Sequence, residues 1–172
     1  RQVSENVVCY KGNPVERRAM HAGLSTARWI VCSHAIFRDD FEVLEKAVRS
    51  RRAEVIVDEA HFMKNPKSIL FKRVQKLTAG DRGCQALTGT PISKPLDSYA
   101  YIKLKNPEIY KNYGVFEACH VAERDFFKKP IKYANLDVLK ERLDLHSVSG
   151  TKTEVHGYDK VVLTPPCEYD LD

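Results

Sequence analysis

Asp58 and Glu59 stand side by side where the apolar run Val55–Val57 ends, and His61, Lys64 and Asn65 follow close behind. Two adjacent carboxylates at the end of a buried strand repel each other unless a positive partner lies between them. A nucleoside triphosphate with Mg²⁺ meets that need. The first carboxylate holds the cation directly or through water, and the second polarises the water that attacks the γ-phosphate. A strand end is rigid, so both carboxylates keep fixed distances from the phosphates. This is the Walker B arrangement. For the two letters alone, an Asp-Glu pair capping the helix that follows is the plain alternative.

The elements that must position these groups can be read from the runs around them. "NVVCYKG", "RWIVCSH", "EVIVDE" and "CQALTGTP" are short, mostly β-branched and not alternating, the pattern of strands buried on both faces of a parallel sheet. Helical segments lie between them. "DDFEVLEKAVRS" places Phe41, Leu44 and Val48 on one face with Asp39 or Asp40 as N-cap; "SILFKRVQKLTAG" does so with Ile69, Leu70, Val74 and Leu77 and stops near Gly80. Strand and helix in alternation predict an α/β domain with right-handed crossovers. In such a sheet, ligands bind beyond the carboxyl ends of the strands. Ser33, His34, Asp58, Glu59, Thr88 and Thr90 all fall there, although polar loop residues flank any apolar strand. Beyond residue 92 the texture changes. "LDSYAYIKLKNPEIY" and "NLDVLKERLDLHSV" read as helices, and "KVVLTPP" as an extended segment halted by Pro165 and Pro166.

Composition sets the bounds. A chain of 172 residues with 43% hydrophobic content buries one substantial core, so one domain is expected. No window approaches the ~18 apolar residues that span a membrane, and no targeting segment is recognisable. Five scattered cysteines suit a reduced, intracellular protein. Cys32/His34 and Cys119/His120 come nearest to metal ligands, but neither has a second half-site, so buried, inert thiols are expected. The net charge is +5; the last nine residues hold three of the 23 acids and none of the 28 bases, so residues 1–163 carry +8. That excess suits a polyanionic partner and equally a solvated basic surface. Arg38, Arg51, Arg52 and "FFKKPIKY" carry the same two readings, phosphate contacts or solvated surface.

"DEAH" followed by "FMKN", and then "LTGTPI", closely resemble motifs II and III of the Swi/Snf-type superfamily-two helicases, on neighbouring strands of the first RecA-like lobe. "VVCYKGNPVERRAM", "WIVCSHAIFRDDFEVL" and "GTKTEVHGYDKVVLTPPCEYDLD" are similar to that family's flanking segments, so the resemblance spans nearly the whole chain. It implies a RecA-like P-loop NTPase lobe with a mostly parallel sheet flanked by helices and a helical C-terminal extension. It implies ATP and Mg²⁺ as cofactors, and duplex DNA and a second RecA-like lobe of the same parent chain as partners. Asp58 would hold Mg²⁺ and Glu59 would be the catalytic base. His61 would sense the γ-phosphate, and Thr88, Gly89 and Thr90 would couple nucleotide state to nucleic-acid grip. Ser33 and His34 would lie near the DNA, and Lys64 and Asn65 either contact its backbone or form a local turn before Pro66.

The sequence departs from the family pattern in places. It holds no Gly-Lys pair, so no G-x-x-x-x-G-K-[S/T] loop. Ser93-Lys94 stands where the family usually has Gln-Asn, and Ser149-Gly150 where it often has Arg-Arg before Thr-Lys. With Arg1 as first residue, the expectation is an excerpt of a longer motor. Residues 1–163 are expected to be a partial ATP-binding lobe without its Walker A segment, residues 93–163 its extension, and residues 164–172 an acidic segment leading to the second lobe. The alternative is a non-catalytic module that grips nucleic acid or a partner.

Overall fold

A computed structural model describes residues 6–51, 53–79 and 83–148. Arg52, Gly80, the Ser149-Gly150 pair, the extended segment around Val161–Leu163 and residues 164–172 lie outside the described residues.

The strand–helix alternation is present. β1 (Val7–Cys9) leads through α1 (Pro14–Ala19) and α2 (His21–Leu24) to β2 (Trp29–Val31). From there α3 (His34–Asp39) and α4 (Phe41–Arg51) lead to β3 (Val55–Val57). A 3₁₀ turn (Ala60–Met63) and α5 (Ile69–Thr78) then reach β4 (Cys84–Ala86). β1 pairs with β2 and β3 with β4, both in parallel, with Val8 opposite Ile30 and Ile56 opposite Gln85. Local chemistry sets the boundaries. Asn13 caps α1 by accepting from the Val15 and Glu16 amides, while the Glu16 carboxylate accepts from Asn13 N at 2.7 Å. Gly12 makes the tight entry at φ +97°, where a Cβ would run into that same carboxylate. Ser33 and Ser68 cap α3 and α5 through the Ile36 and Phe71 amides.

Two expectations change here. The four strands do not join into one sheet: among the described residues they form two separate pairs, because β2 and β3 share no ladder. Nor are they buried on both faces. Leu44 and Ala47 of α4 cover Val8 and Ile30, and Phe71 and Val74 of α5 cover Val55 and Val57, whereas Val7, Trp29, Val31 and Ile56 on the opposite face are exposed. In strands of three residues a continuous apolar run and a half-buried one look alike, which is why the sequence misleads.

Asp40 precedes α4 but caps it only with its carbonyl, which accepts from Leu44 N at 3.2 Å. Its carboxylate is taken by Arg17, Nε to Oδ2 at 2.6 Å and Nη2 to Oδ1 at 3.2 Å, and by the Tyr10 hydroxyl at 2.7 Å. The Arg17 hydrogen bond holds the Asp40 carboxyl below the usual carboxylate range. Burial, then the Asp40 hydrogen bond, push the Tyr10 hydroxyl up to about 12. A carboxyl whose folded pKa is depressed contributes stability above its unfolded pKa of about 3.9, and that contribution fades as pH falls through the folded value. Thermal melts should therefore separate wild type from Asp40→Asn clearly at pH 7, and the gap should narrow steadily below about pH 4. A gap that stays constant to pH 2 would contradict this reading.

Beyond β4 come a second 3₁₀ turn (Pro95–Asp97), α6 (Ser98–Lys105), α7 (Tyr113–His120), an antiparallel hairpin of β5 (Val121–Arg124) and β6 (Pro130–Tyr133), and α8 (Leu136–Asp144). Residues 93–148 are thus mainly helical, but with a hairpin that the sequence reading missed. Its strands are short and heavily charged, and its signal was the "DFFKK" turn, with Lys128 at φ 61°. Leu96, Tyr99, Ile102, Tyr110, Phe116 and Leu139 join Val57, Met63 and Val74 in one cluster, which ties this part to β3 and α5. His120 is buried. Its Nδ1 lies 3.2 Å from Ala134 O and its Nε2 lies 2.6 Å from Tyr110 Oη. Nδ1 therefore donates to the carbonyl, Nε2 accepts from the phenol, and the ring acts as a structural bridge. The thiols are not uniformly buried as expected: Cys84 is, but Cys9 and Cys119 are exposed. Among the described residues no three His, Cys, Asp or Glu side chains are grouped to hold a metal ion.

Candidate nucleotide site

The pairing of β3 with β4 brings the two polar clusters together. Leu87 N donates to Val57 O and Ala60 N donates to Leu87 O, each at 2.9 Å, so the strand ends leave the sheet side by side. Directly after β3 the chain turns sharply, with Glu59 in the left-handed region at φ 47°, ψ 46°. Asp58 Oδ1 accepts from Glu59 N at 2.9 Å, which steadies the turn. Ala60 and Met63 are fully buried in the core. They anchor the 3₁₀ turn and leave His61 and Phe62 facing outward.

His61 is the junction. Its Nδ1 lies 3.0 Å from Glu59 Oε2 and 3.4 Å from Thr88 Oγ1. The Thr88 hydroxyl in turn accepts from Thr90 N at 3.2 Å. A single imidazole nitrogen thus stands between the carboxylate of one strand end and the hydroxyl of the next. The His61 ring lies 4.3 Å from that of Phe62, which meets His34 edge-on at 5.6 Å. Three strand ends, those of β2, β3 and β4, are thereby connected. Gly89 has open space where a side chain would stand.

The remaining residues divide. Ser33 faces inward onto its own helix as a cap. Asn65 Oδ1 accepts from Lys67 N at 2.9 Å, which is the local-turn alternative. Lys64 Nζ donates to Ser93 Oγ at 2.9 Å and lies 3.9 Å from Asp97 Oδ2. Arg51 is spent on the Leu24 and Ala27 carbonyls, and Arg38 stays exposed beside Asp39.

Asp97 was missed by sequence reasoning. Only 8% exposed, it accepts from Ser93 N at 3.0 Å and Lys94 N at 3.2 Å, and so fixes the loop that carries Lys64's partner. Its signal was a Pro-Leu-Asp turn with the acid three residues after Lys94. Asp97→Ala leaves two amides without an acceptor, and the expected loss is about 2 kcal/mol of unfolding free energy, measured by urea denaturation.

The carboxylates suit Mg²⁺ held in its usual manner. Asp58 is exposed, Oδ1 is engaged by the Glu59 amide, and Oδ2 is left for the cation. Glu59 is 59% exposed beside it. Mg²⁺ is typically bound by one or two carboxylates, with water and phosphate oxygens completing its shell.

A family model described as the SNF2-related domain matches residues 2–163. TATA-binding protein-associated factor MOT1 of Saccharomyces cerevisiae is 41% identical over 86 residues, 50% of this chain and 4% of that protein. Nuclear protein STH1/NPS1 of the same yeast is 28% identical over 145 residues, 83% of this chain and 10% of that protein. ISWI chromatin-remodeling complex ATPase CHR11 of Arabidopsis thaliana is 30% identical over 114 residues, 64% of this chain and 10% of that protein. The chain therefore spans 4% to 10% of the length of these relatives.

Proposed function

The chain belongs to the SNF2-related domain family, and on that footing we propose that residues 1–163 form part of the first RecA-like lobe of a DNA-dependent ATPase. That motor couples ATP hydrolysis to translocation on duplex DNA or to remodelling of what is bound there. It works with a second RecA-like lobe of the same polypeptide, inside the cell. The observation that supports this reading most is the His61 junction, one nitrogen within 3.0 Å of Glu59 and 3.4 Å of Thr88.

Each residue then has a task. Asp58 Oδ2 would hold Mg²⁺, which supplies charge neutralisation for the phosphates. Glu59 orients the attacking water and takes its proton. His61 reads the position of the Glu59 carboxylate and passes it to Thr88, so that Thr88, Gly89 and Thr90 shift with nucleotide state. His34, linked through Phe62, extends the same contact toward the end of β2 and a bound DNA strand. Ser33, Lys64 and Asn65 support that surface through the bonds that shape its loops. Residues 93–163 act as the lobe's extension, mainly helical over the described residues 93–148.

The 172 residues alone hold no Gly-Lys pair, so nothing in them provides the usual lysine for the β- and γ-phosphates. This favours a second reading for the isolated chain, a module that binds without hydrolysing. ATP turnover by the natural-length protein, without nucleic acid, with single strands and with duplex, separates the cases. Stimulation chiefly by duplex is the expected result. Equal stimulation by single strands would point to a strand-separating helicase. No turnover under any condition would leave the binding module.

A further inference from the structure

The turn between β5 and β6 carries two phenylalanines that the fold does not use. Phe126 is 94% exposed and Phe127 76%, so neither ring stabilises the lobe by burial. The turn that presents them is nonetheless tightly fastened. Lys128 N donates to Asp125 O and Asp125 N to Lys129 O, each at 2.9 Å. Lys129 N donates to Asp125 Oδ1 and Arg124 Nη1 to Lys128 O, each at 2.7 Å. The base of the hairpin is held as firmly. Val121 lies opposite Tyr133, both pack against the core cluster, and Ala134 N donates to His120 O at 3.0 Å. Between base and tip both strands are exposed, Ala122, Glu123 and Arg124 on one and Ile131 and Lys132 on the other. The hairpin therefore stands clear of the lobe as a stiff arm with an aromatic end.

Charge at that end is one-sided. Residues 121–133 hold four bases and two acids. Glu123 pairs with Lys132 at 2.8 Å, Glu117 of α7 pairs with Arg124 at 3.0 Å, and the Asp125 carboxylate is taken up by the turn. Lys128 and Lys129 have no ion-pair partner among the described residues. Two ammonium groups thus sit beside two bare rings. A nucleotide meets both at once, with a flat π-face for the ring and a phosphate for the lysine. The ring centroids are 5.5 Å apart with 86° between their planes. A flat base that stacks on one ring therefore turns its edge to the face of the other. A base inside a duplex has no free face to offer such a corner; an unpaired base has. A folded protein partner would cover little of a convex tip.

We propose that the β5–β6 tip is a binding site for unpaired nucleotides, with Phe126 and Phe127 taking a base and Lys128 and Lys129 the phosphates beside it. The inference rests on the reading of the natural-length protein as a DNA-dependent ATPase and narrows its substrate. The DNA it takes is duplex that ends in, or opens into, a single strand.

Fluorescence anisotropy on the natural-length protein without ATP tests it, with a blunt duplex and the same duplex carrying a thymine overhang. The overhang should tighten binding by about tenfold, the worth of one stacked base. Phe126→Ala with Phe127→Ala should abolish that gain and leave blunt-duplex affinity unchanged. Phe126→Trp with Phe127→Trp should keep the gain and Phe126→Leu with Phe127→Leu should lose it, because stacking needs a ring and apolarity alone does not suffice. Lys128→Ala with Lys129→Ala should reduce the salt slope of overhang binding by roughly 1. An overhang gain that survives the alanine pair, or no gain beside firm blunt-duplex binding, would overturn the proposal and leave the ATPase reading standing. No binding of either probe would overturn both. Binding to vesicles of phosphatidylserine and phosphatidylcholine that the alanine pair abolishes, without an overhang gain, would overturn it in favour of a membrane contact.

Discussion

Replacing Glu59 with glutamine is expected to lower duplex-stimulated ATP turnover by the natural-length protein by about 100- to 10,000-fold, the range for loss of a positioned general base. The amide is nearly isosteric and keeps a hydrogen-bonding oxygen for His61 but no longer takes a proton. The side chain is 59% exposed and buries little in the fold. Thermal stability and nucleotide affinity should therefore stay close to wild type, with the loss in kcat. Thr88→Val makes the useful contrast, since it removes the hydroxyl 3.4 Å from His61 without touching the carboxylates. It should spare basal turnover and weaken the response to duplex. Glu59→Gln turnover within threefold of wild type would remove Glu59 from the chemistry.

Phe116→Ala should be the most damaging of the simple core truncations. Phe116 is fully buried. Its ring centroid lies 5.1 Å from that of Tyr99, 4.9 Å from Tyr110, 6.2 Å from Tyr113 and 4.9 Å from His120. Removing it opens a void that these rings, packed against one another and with Tyr110 and His120 tied by a 2.6 Å hydrogen bond, cannot close. The expected cost is about 3–5 kcal/mol, a large share of the ~5–15 kcal/mol that stabilises a typical domain. The melting temperature should fall by roughly 10 °C. Phe126→Ala on the β5–β6 hairpin is the control. At 94% exposure its side chain buries almost nothing, and the change should lie within about 0.5 kcal/mol of zero. Equal losses for the two variants would show that the aromatic cluster around α7 does not hold the fold.

The contrast between these residues also shows what was legible in the sequence. β1, β2 and β3 could be read because each is a compact run rich in Val and Ile or Trp, and β4 (Cys-Gln-Ala) because the Leu-Thr-Gly-Thr-Pro stretch that follows marks a strand end. α4 and α5 could be read because their apolar residues repeat at helical spacing, although Ile69, read onto the buried face of α5, is exposed and Phe71 is buried in its stead. The carboxylates, His61 and the Thr-Gly-Thr turn could be placed at strand ends, and those ends do converge. The actual partners could not be read. That Lys64 meets Ser93, and that Asp97 holds the loop between them, depends on how two strand exits lie across each other. The fate of Asp40 follows the same rule: beside α4 in sequence it looks like a cap, but Arg17 and Tyr10 come from a distant segment and outbid the local helix amides. The hairpin was hidden because charged residues interrupt both its strands, and the split between the two strand pairs because no local pattern records a neighbour's absence.

The turn at Glu59 has a consequence for stability under the role proposed for that residue. A left-handed backbone costs a residue with a side chain about 1 kcal/mol or more relative to glycine. Selection for stability alone would favour glycine or asparagine at position 59, and a screen for thermostable variants should keep returning them. On the catalytic role proposed for Glu59, such variants would melt higher and lose most of their ATP turnover. A left-handed backbone at a residue with a side chain is the cost at which this turn points the Glu59 carboxylate outward, and the proposed role of that carboxylate is what such a cost would serve.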